Sequence, residues 1–419
     1  MEKNANPANR LTVQAAQAHI LEKTFPLGTE SVTLPSSLGR VLAEDIRANR
    51  DLPPYDVSAM DGFAVYAADL AEAPQSLLVI EDIKAGDTPK MALQSGQCAR
   101  IMTGASMPAG ADAVVRVEDT REQGDGRIEF LVSAKPSTDV RYRGENMRTG
   151  EVVLTPGEAV TPGVVGVLAT VKQAQVTVYR KPRVAILSNG DELESLEESF
   201  DPRKIPDANS YALMAQVQSL GIEPTLLGIA RDKPDELARF LKRGLACDVL
   251  LISGGTSVGV HDHVRPTLKA LGVDMHFWRV EMRPGHPVAF GTKGQTLVFC
   301  LPGNPVSSMV CFEQLALPAL RRLMGHRHLF RRTIPARLAQ AVKTKPGRTE
   351  FIRATLARDA SGIYTATPAA SQSSGDIRSV ARADALIVAP ATSGSLSAGT
   401  TVTAQLLDAA LFQDAPDMG

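Results

Sequence analysis

A short apolar run, Asp248-Val-Leu-Leu-Ile252, breaks off into Ser253-Gly-Gly-Thr-Ser-Val-Gly-Val-His-Asp262. A strand this uniformly apolar is buried on both faces, the habit of parallel sheets. The loop after it has to turn tightly. Glycines at 254, 255 and 259 let backbone N–H groups approach an anion without Cβ clashes. Thr256 and Ser257 add hydroxyl donors, and Asp262 follows where a carboxylate can hold a metal ion. Alone, such a loop reads as a glycine-rich turn with no ligand, so the neighbouring segments have to decide.

They repeat one pattern from 181 to 325. A strand at Arg183–Ser188 leads to a helix from Ser210, capped by Asn209 or Ser210. A strand at 225–230 precedes a helix opened by Pro234. After the 248–252 strand come a predicted helix Val273–Val280, a strand Gln295–Leu301 and a helix from Val306. Strands alternating with amphipathic helices predict a parallel, doubly wound sheet.

Ligands of such sheets collect at the carboxyl edge. The loops expected there are Asn189-Gly-Asp-Glu192, Arg231-Asp232, Gly254–Asp262, Glu281-Met-Arg-Pro-Gly-His-Pro287 and Pro302-Gly-Asn-Pro305. They gather Asp191, Glu192, Asp232, Asp262, Arg283 and His286. A single loop acid is most simply a solvated one. Acids in successive loops facing two basic residues match one hard cation plus an oxyanion, with carboxylates for Mg²⁺ and Arg and His for the anion.

At 419 residues the chain needs several cores. Residues 8–50 with 146–180 read as a helical and linker domain, with helical spacing at 10–25 and a second short helix at Ser37–Asp45. Residues 51–145 read as a small all-β domain entered through the proline stop Asp51-Leu-Pro-Pro-Tyr-Asp56, and 181–328 as the α/β domain. Residues 329–412 read as a C-terminal, barrel-like β domain. Lys+Arg 45 against Asp+Glu 46 gives a net charge of -1, which argues against nucleic acid and anionic membranes as partners. The basic stretch Arg321–Arg332 reads as a helix end and linker rather than a nucleic-acid patch. The start has no apolar signal-like segment and no apolar run reaches membrane length, so a cytoplasmic chain is expected. Four dispersed cysteines fit buried free thiols, and Trp278 fits a core position.

Seven segments together resemble the molybdopterin molybdenumtransferases, the gephyrin E-domain-like family of molybdenum cofactor biosynthesis. They are Ser58-Ala-Met-Asp-Gly62, Ile101-Met-Thr-Gly-Ala105, Arg143-Gly-Glu145, Ser188-Asn-Gly-Asp-Glu-Leu193, Gly254-Gly-Thr-Ser-Val-Gly259, Arg283-Pro-Gly-His-Pro287 and Leu301-Pro-Gly-Asn-Pro-Val-Ser307. The resemblance implies a four-domain homodimer that binds adenylylated molybdopterin and Mg²⁺, accepts molybdate as substrate and releases AMP. It implies Asp61 and Thr103 as catalytic residues contributed across the dimer cleft. Glu192, Asp232 and Asp262 become catalytic, metal-holding residues. Asp191, Gly254, Gly255, Thr256, Ser257, Gly259, Pro302, Gly303 and Asn304 become substrate-binding, and Arg283, His286, Pro287, Arg353 and Ser374 build the molybdate pocket. Further partners implied are a molybdopterin adenylyltransferase and downstream molybdoenzymes or their chaperones.

Two positions depart from the family pattern. Asn146 stands where aspartate is usual, and His286 where lysine is usual, while Arg283 keeps a lysine's charge. An imidazole carries charge only in part near neutral pH, so weaker molybdate binding is expected on the alkaline side. The competing readings are an adenylyltransferase, a non-enzymatic scaffold that uses the same fold, and a paralogue that handles tungstate. The N-terminal motifs weigh against the first and the intact acids against the second.

Overall fold

The computed structural model describes residues 11–199, 201–255, 263–359 and 361–407. Its central sheet has the strand order Thr225–Ala230, Val184–Asn189, Val249–Ser253, Thr296–Leu301, Ala289–Lys293, Asp274–Phe277. The first four run parallel, and the last two reverse direction in turn. Val249 to Ser253 are all buried, as their apolar run requires. Helices cover both faces. On one side Leu213, Val217, Val310 and Leu320 pack with Ile186, Leu251 and Phe299; on the other, Leu237, Leu241 and Leu268 pack with Leu187, Ile252 and Val298.

The helix expected at Val273–Val280 is a strand, Asp274–Phe277. The helix lies earlier, at Val264–Ala270, and Gly272 at φ +79° closes it. The following alternation, with Val273 and Phe277 buried and Asp274 exposed, suits a sheet edge. The helix read from Ser210 starts at Ala208, and its cap is Asp207, whose carboxylate accepts from the Ser210 N–H.

The small β domain is a six-stranded mixed sheet, ordered 113–116, 62–65, 97–101, 75–83, 127–130, 120–122. Phe63, Cys98, Val115 and Phe130 fill one face, and Ala64, Ile83, Ile101 and Val114 the other. Gly62 ends the Ser58–Gly62 motif because a Cβ there would sit 2.0 Å from the Val115 carbonyl oxygen.

The first unit differs from its expected form. Val13–Glu22 is a helix, but Val13, Ala16 and Ile20 join the core of the α/β domain. No helix forms at Ser37–Asp45; Leu34–Ser36 is a 3₁₀ turn and Ile46–Arg47 a short strand. Thr29–Thr33 pairs with Gln175–Tyr179, and Ile46–Arg47 with Val152–Leu154, around the helix Pro162–Thr170.

In the C-terminal domain, Thr349–Arg358, Tyr364–Pro368, Thr333–Leu338, Thr401–Leu406 and Ala385–Ala389 close into a barrel, because the first strand also pairs with the last. Met282–Arg283, from the α/β domain, adds to this barrel beside Thr349–Glu350. Arg321 and Arg331, from the basic stretch, bond internally to the His328 carbonyl and to Glu313. Cys98, Cys300 and Cys311 are buried free thiols, Cys247 is half-buried, and Trp278 is half-buried beneath the Arg265 guanidinium.

Replacing Gly62 by Ala forces backbone apart at a sheet interior. A loss of about 1–3 kcal/mol confined to the small β domain is expected. Urea unfolding followed by hydrogen exchange checks it; a wild-type profile would show that the strands part freely.

Candidate functional site

The four parallel strands end in register: Ser188 lies beside Ile229 and Ser253, and Ser253 beside Leu301. Their loops therefore open on one edge. At Gly254 (φ +91°) a Cβ would lie 2.3 Å from the Asn189 carbonyl, and at Gly255 (φ +62°) 2.2 Å from Val264. Only glycine fits these two positions. Thr256, Ser257, Gly259 and Asp262 lie outside the described residues.

The acids of the first two loops meet as expected. The Asp232 N–H donates to Asp191 Oδ1 at 3.1 Å, and Asn189 Nδ2 donates to Asp232 Oδ1 at 2.6 Å. Asp232 Oδ2 has no partner among the described residues. Glu192 folds back over Gly190, its carboxylate 2.5 Å from where a Cβ would stand. Arg231 and Lys204 both donate to the Asp191 carbonyl and so hold this loop in place. Among the described residues no cluster of three or more His, Cys, Asp or Glu is ready to hold a metal. Mg²⁺ takes one or two carboxylates and completes its shell with phosphate oxygens and water, so this donor set fits an ion arriving with a phosphorylated ligand.

Sequence reasoning passed over two asparagines. Asn189 is buried, and its Oδ1 has no partner among the described residues. Asn209, expected only as a cap, bonds Ser253 Oγ and the Gly303 carbonyl, both at 2.7 Å, and so joins the third and fifth loops. A buried amide ending an otherwise apolar strand was the available signal for Asn189.

The basic residues line a second cavity, of about 470 Å³, between the α/β domain and the barrel. Arg283, His286, Pro287, Arg353 and Ser374 all line it, with Ser307, Lys343, Arg348 and Glu350. The 281–287 loop reaches the carboxyl edge because it follows Asp274–Phe277, which the two antiparallel pairings leave running parallel to Thr296–Leu301 and Val249–Ser253. Gly285 (φ +103°) is required there, since a Cβ would lie 2.3 Å from Cys311 Sγ. The His286 Nδ1 lies 2.8 Å from the Val280 carbonyl. A carbonyl only accepts, so Nδ1 carries the proton and Nε2 remains for a ligand.

Arg353 is 1% exposed. Its Nε donates to Ser379 Oγ at 3.2 Å, and its Nη2 to the carbonyls of Ser373 at 3.1 Å and Ser371 at 3.4 Å. Burial lowers its pKa below the usual guanidinium range, with Asp376 acting in the opposite sense. Nη1 keeps no partner among the described residues. Arg353 therefore both shapes the 371–374 loop and offers a donor to the cavity. That loop reaches the first subsite, because the Val306 N–H donates to the Ser374 carbonyl at 3.1 Å. The carboxylate edge and the basic cavity thus meet at Val306 and Ser307, directly after the Pro302–Pro305 loop.

Asp61 and Thr103 form a separate couple on the small β domain. Asp61 Oδ1 accepts the Thr103 N–H and hydroxyl, each at 2.7 Å, and these bonds hold its carboxyl below the usual carboxylate range. Both residues are exposed, and among the described residues neither bonds to the α/β domain.

Arg353→Lys keeps the charge but cannot span Ser379 and two carbonyls. A loss of about 1–3 kcal/mol in barrel stability is expected, with binding of a tetrahedral oxyanion such as sulfate or molybdate weakened about tenfold. Calorimetric titration and urea unfolding measure both; unaltered oxyanion affinity would detach the guanidinium from the cavity.

Three family descriptions match in order: "MoeA N-terminal region (domain I and II)" over 11–171, "Probable molybdopterin binding domain" over 185–322, and "MoeA C-terminal region (domain IV)" over 335–407. The chain is 38% identical to a molybdopterin molybdenumtransferase of a Nostoc species, covering 89% of this chain and 88% of that protein. It is 34% identical to the enzyme of that name from Haemophilus influenzae, covering 94% and 98%. A crystal structure of the molybdopterin biosynthesis moeA protein from Pyrococcus horikoshii superposes with a TM-score of 0.83 at 30% identity, covering 95% of this chain and 100% of that one. The chain belongs to the molybdopterin molybdenumtransferase family.

Proposed function

We propose that this chain is a molybdopterin molybdenumtransferase: it inserts molybdate into adenylylated molybdopterin and releases AMP in a Mg²⁺-dependent step. One observation carries the reading. The loop that completes the basic cavity is hydrogen-bonded to the segment that completes the carboxylate edge, through Val306 and Ser374.

The division of labour follows from charge. Asp232 and Glu192, with Asp262, would hold Mg²⁺, whose charge offsets that on the phosphate oxygens when bound. Asp191, Ser253 and the glycine backbone at 254 and 255 orient the phosphorylated ligand, with Thr256, Ser257 and Gly259 completing the loop. Water attacks the adenylyl phosphorus, the bond from that phosphorus to the bridging oxygen breaks, and AMP leaves, the bridging oxygen staying on the molybdopterin phosphate and the proton of the water passing to solvent. Molybdate is a tetrahedral dianion, suited to the free Arg353 donor, Arg283, His286 Nε2 and the Ser374 segment. As the two Mo–S bonds form, one oxide ligand leaves with the two thiol protons as water. Holding both reactants in adjoining subsites supplies the positioning.

Among the described residues only Oδ1 of the exposed Asp61 carboxylate is bonded, an arrangement suited to completing the cleft of a second copy in a homodimer. A cytoplasmic setting is consistent with the described helices, none of which is long and apolar enough to cross a membrane. Asn146 is exposed, and among the described residues only its backbone N–H is engaged, to the Leu52 carbonyl.

Purified chain given adenylylated molybdopterin, molybdate and Mg²⁺ should release AMP and yield molybdenum cofactor, and chelation should stop it. Adenylylation of molybdopterin from ATP, with no molybdate insertion, would favour the adenylyltransferase alternative.

His286 gives a second prediction. Its Nε2 can donate to an oxyanion only when the ring is protonated, so molybdate KM should rise from pH 6 to 8.5. His286→Lys should flatten that profile. Superimposable profiles would end the idea that His286 contacts the oxyanion.

A further inference from the structure

Arg143-Gly-Glu145 marks the family, yet its side chains bond neither the carboxylate edge nor the basic cavity. It lies where two chain segments, 51–56 and 142–149, pass between the first unit and the small β domain. Here Asp51 acts as a knot. Its Oδ1 accepts the Thr149 N–H and hydroxyl, both at 2.8 Å, and its Oδ2 accepts Arg143 Nε at 2.5 Å. The Asn146 N–H donates to the Leu52 carbonyl at 3.0 Å, and the Gly144 N–H to that of Pro53 at 2.9 Å. The Thr149 amide foremost, then its hydroxyl and Arg143, hold the Asp51 carboxyl down to about 2, so the knot stays charged at any working pH.

From this knot a chain of bonds leads to the Asp61–Thr103 couple. The Arg143 N–H donates to Asp56 Oδ1 at 2.8 Å, and the Met107 N–H to the Asp56 carbonyl at 2.9 Å. The Ser58 N–H donates to Ala105 at 3.0 Å, the Gly104 N–H to Ser58 at 2.8 Å, and Thr103 then bonds Asp61. The cores of the small β domain draw only on residues of that domain, from Phe63 to Val140. Its placement is therefore left to the crossing.

We infer that Asp51 is a positioning residue: by tying the two crossing segments together, it sets where Asp61 and Thr103 stand relative to the rest of the chain. The catalytic part of this inference rests on the function proposed above; the mechanical part does not.

The test uses full-length Asp51→Ala, Thr149→Val and Asp61→Asn proteins. Hydrogen exchange is followed in peptides covering 142–149 and 101–105, alongside kcat and KM for adenylylated molybdopterin. Asp51→Ala should speed exchange in both peptides and raise KM about tenfold, with kcat within about twofold. Calorimetric molybdate binding, which depends on the distant cavity, should not change. Thr149→Val removes one donor only and should show the same pattern more weakly, which covers a failure of Asp51→Ala to fold. Faster exchange at 142–149 with an unaltered 101–105 peptide would overturn the inference, as would an unchanged KM alongside an active-site effect of Asp61→Asn. Full activity of Asp61→Asn would instead refute the catalytic reading of the couple, and the exchange comparison would still decide the mechanical one.

Discussion

The Arg353 guanidinium is buried beside the basic cavity and is bonded to two carbonyls and a hydroxyl rather than to a carboxylate. Removing such a cation from water is costly unless its hydrogen-bonding groups are met. Those bonds come from the 371–379 segment, so the charge can be housed only if that segment folds as it does. In return the segment reaches across to Val306, at the start of the helix that ends the carboxylate edge. One buried charge and the loop it organises thus help to join the barrel domain to the doubly wound sheet, beside the Met282–Arg283 pairing with Thr349–Glu350.

The site pairs opposite charges without letting them cancel. Acids occupy the loops after the parallel strands, and cations occupy the antiparallel margin of the sheet and the barrel. Arg283 lies 3.5 Å from Glu350, and Arg348 lies 3.1 Å from Glu281, so part of the cavity's positive charge is restrained by its own wall. Among the described residues Arg353 has no such carboxylate contact, so its charge is not restrained by the cavity wall in the same way. On the other side Asn189 fixes one oxygen of Asp232 and leaves the second without a partner among the described residues.

Much of this was legible from residue patterns. The run Val249–Ser253 could only be a buried strand, and Gly254 and Gly255 could only be the tight turn after it. Where the pattern misled, packing had the final word. Val273–Phe277 carries too few residues to separate helical from alternating spacing, and its pairing with Ala289–Lys293 decided for a strand. Helix Val13–Glu22 was visible as a helix, but nothing in its own sequence said that it would join the α/β core. Ser37–Asp45 has helical spacing, yet its middle is taken by extended pairings of Val41 and Leu42 with residues 159 and 178.

The sequence alone determined the chemistry available: which acids, cations and glycines occur, and in which loops, because side-chain identity and local turn geometry need no distant partner. Only the tertiary structure decided what those groups do together. The orphaned oxygen of Asn189, the burial of Arg353, the Val306–Ser374 bridge and the knot at Asp51 all join residues far apart in the chain. Such contacts depend on how sheets and loops pack in space, and no local spacing encodes that.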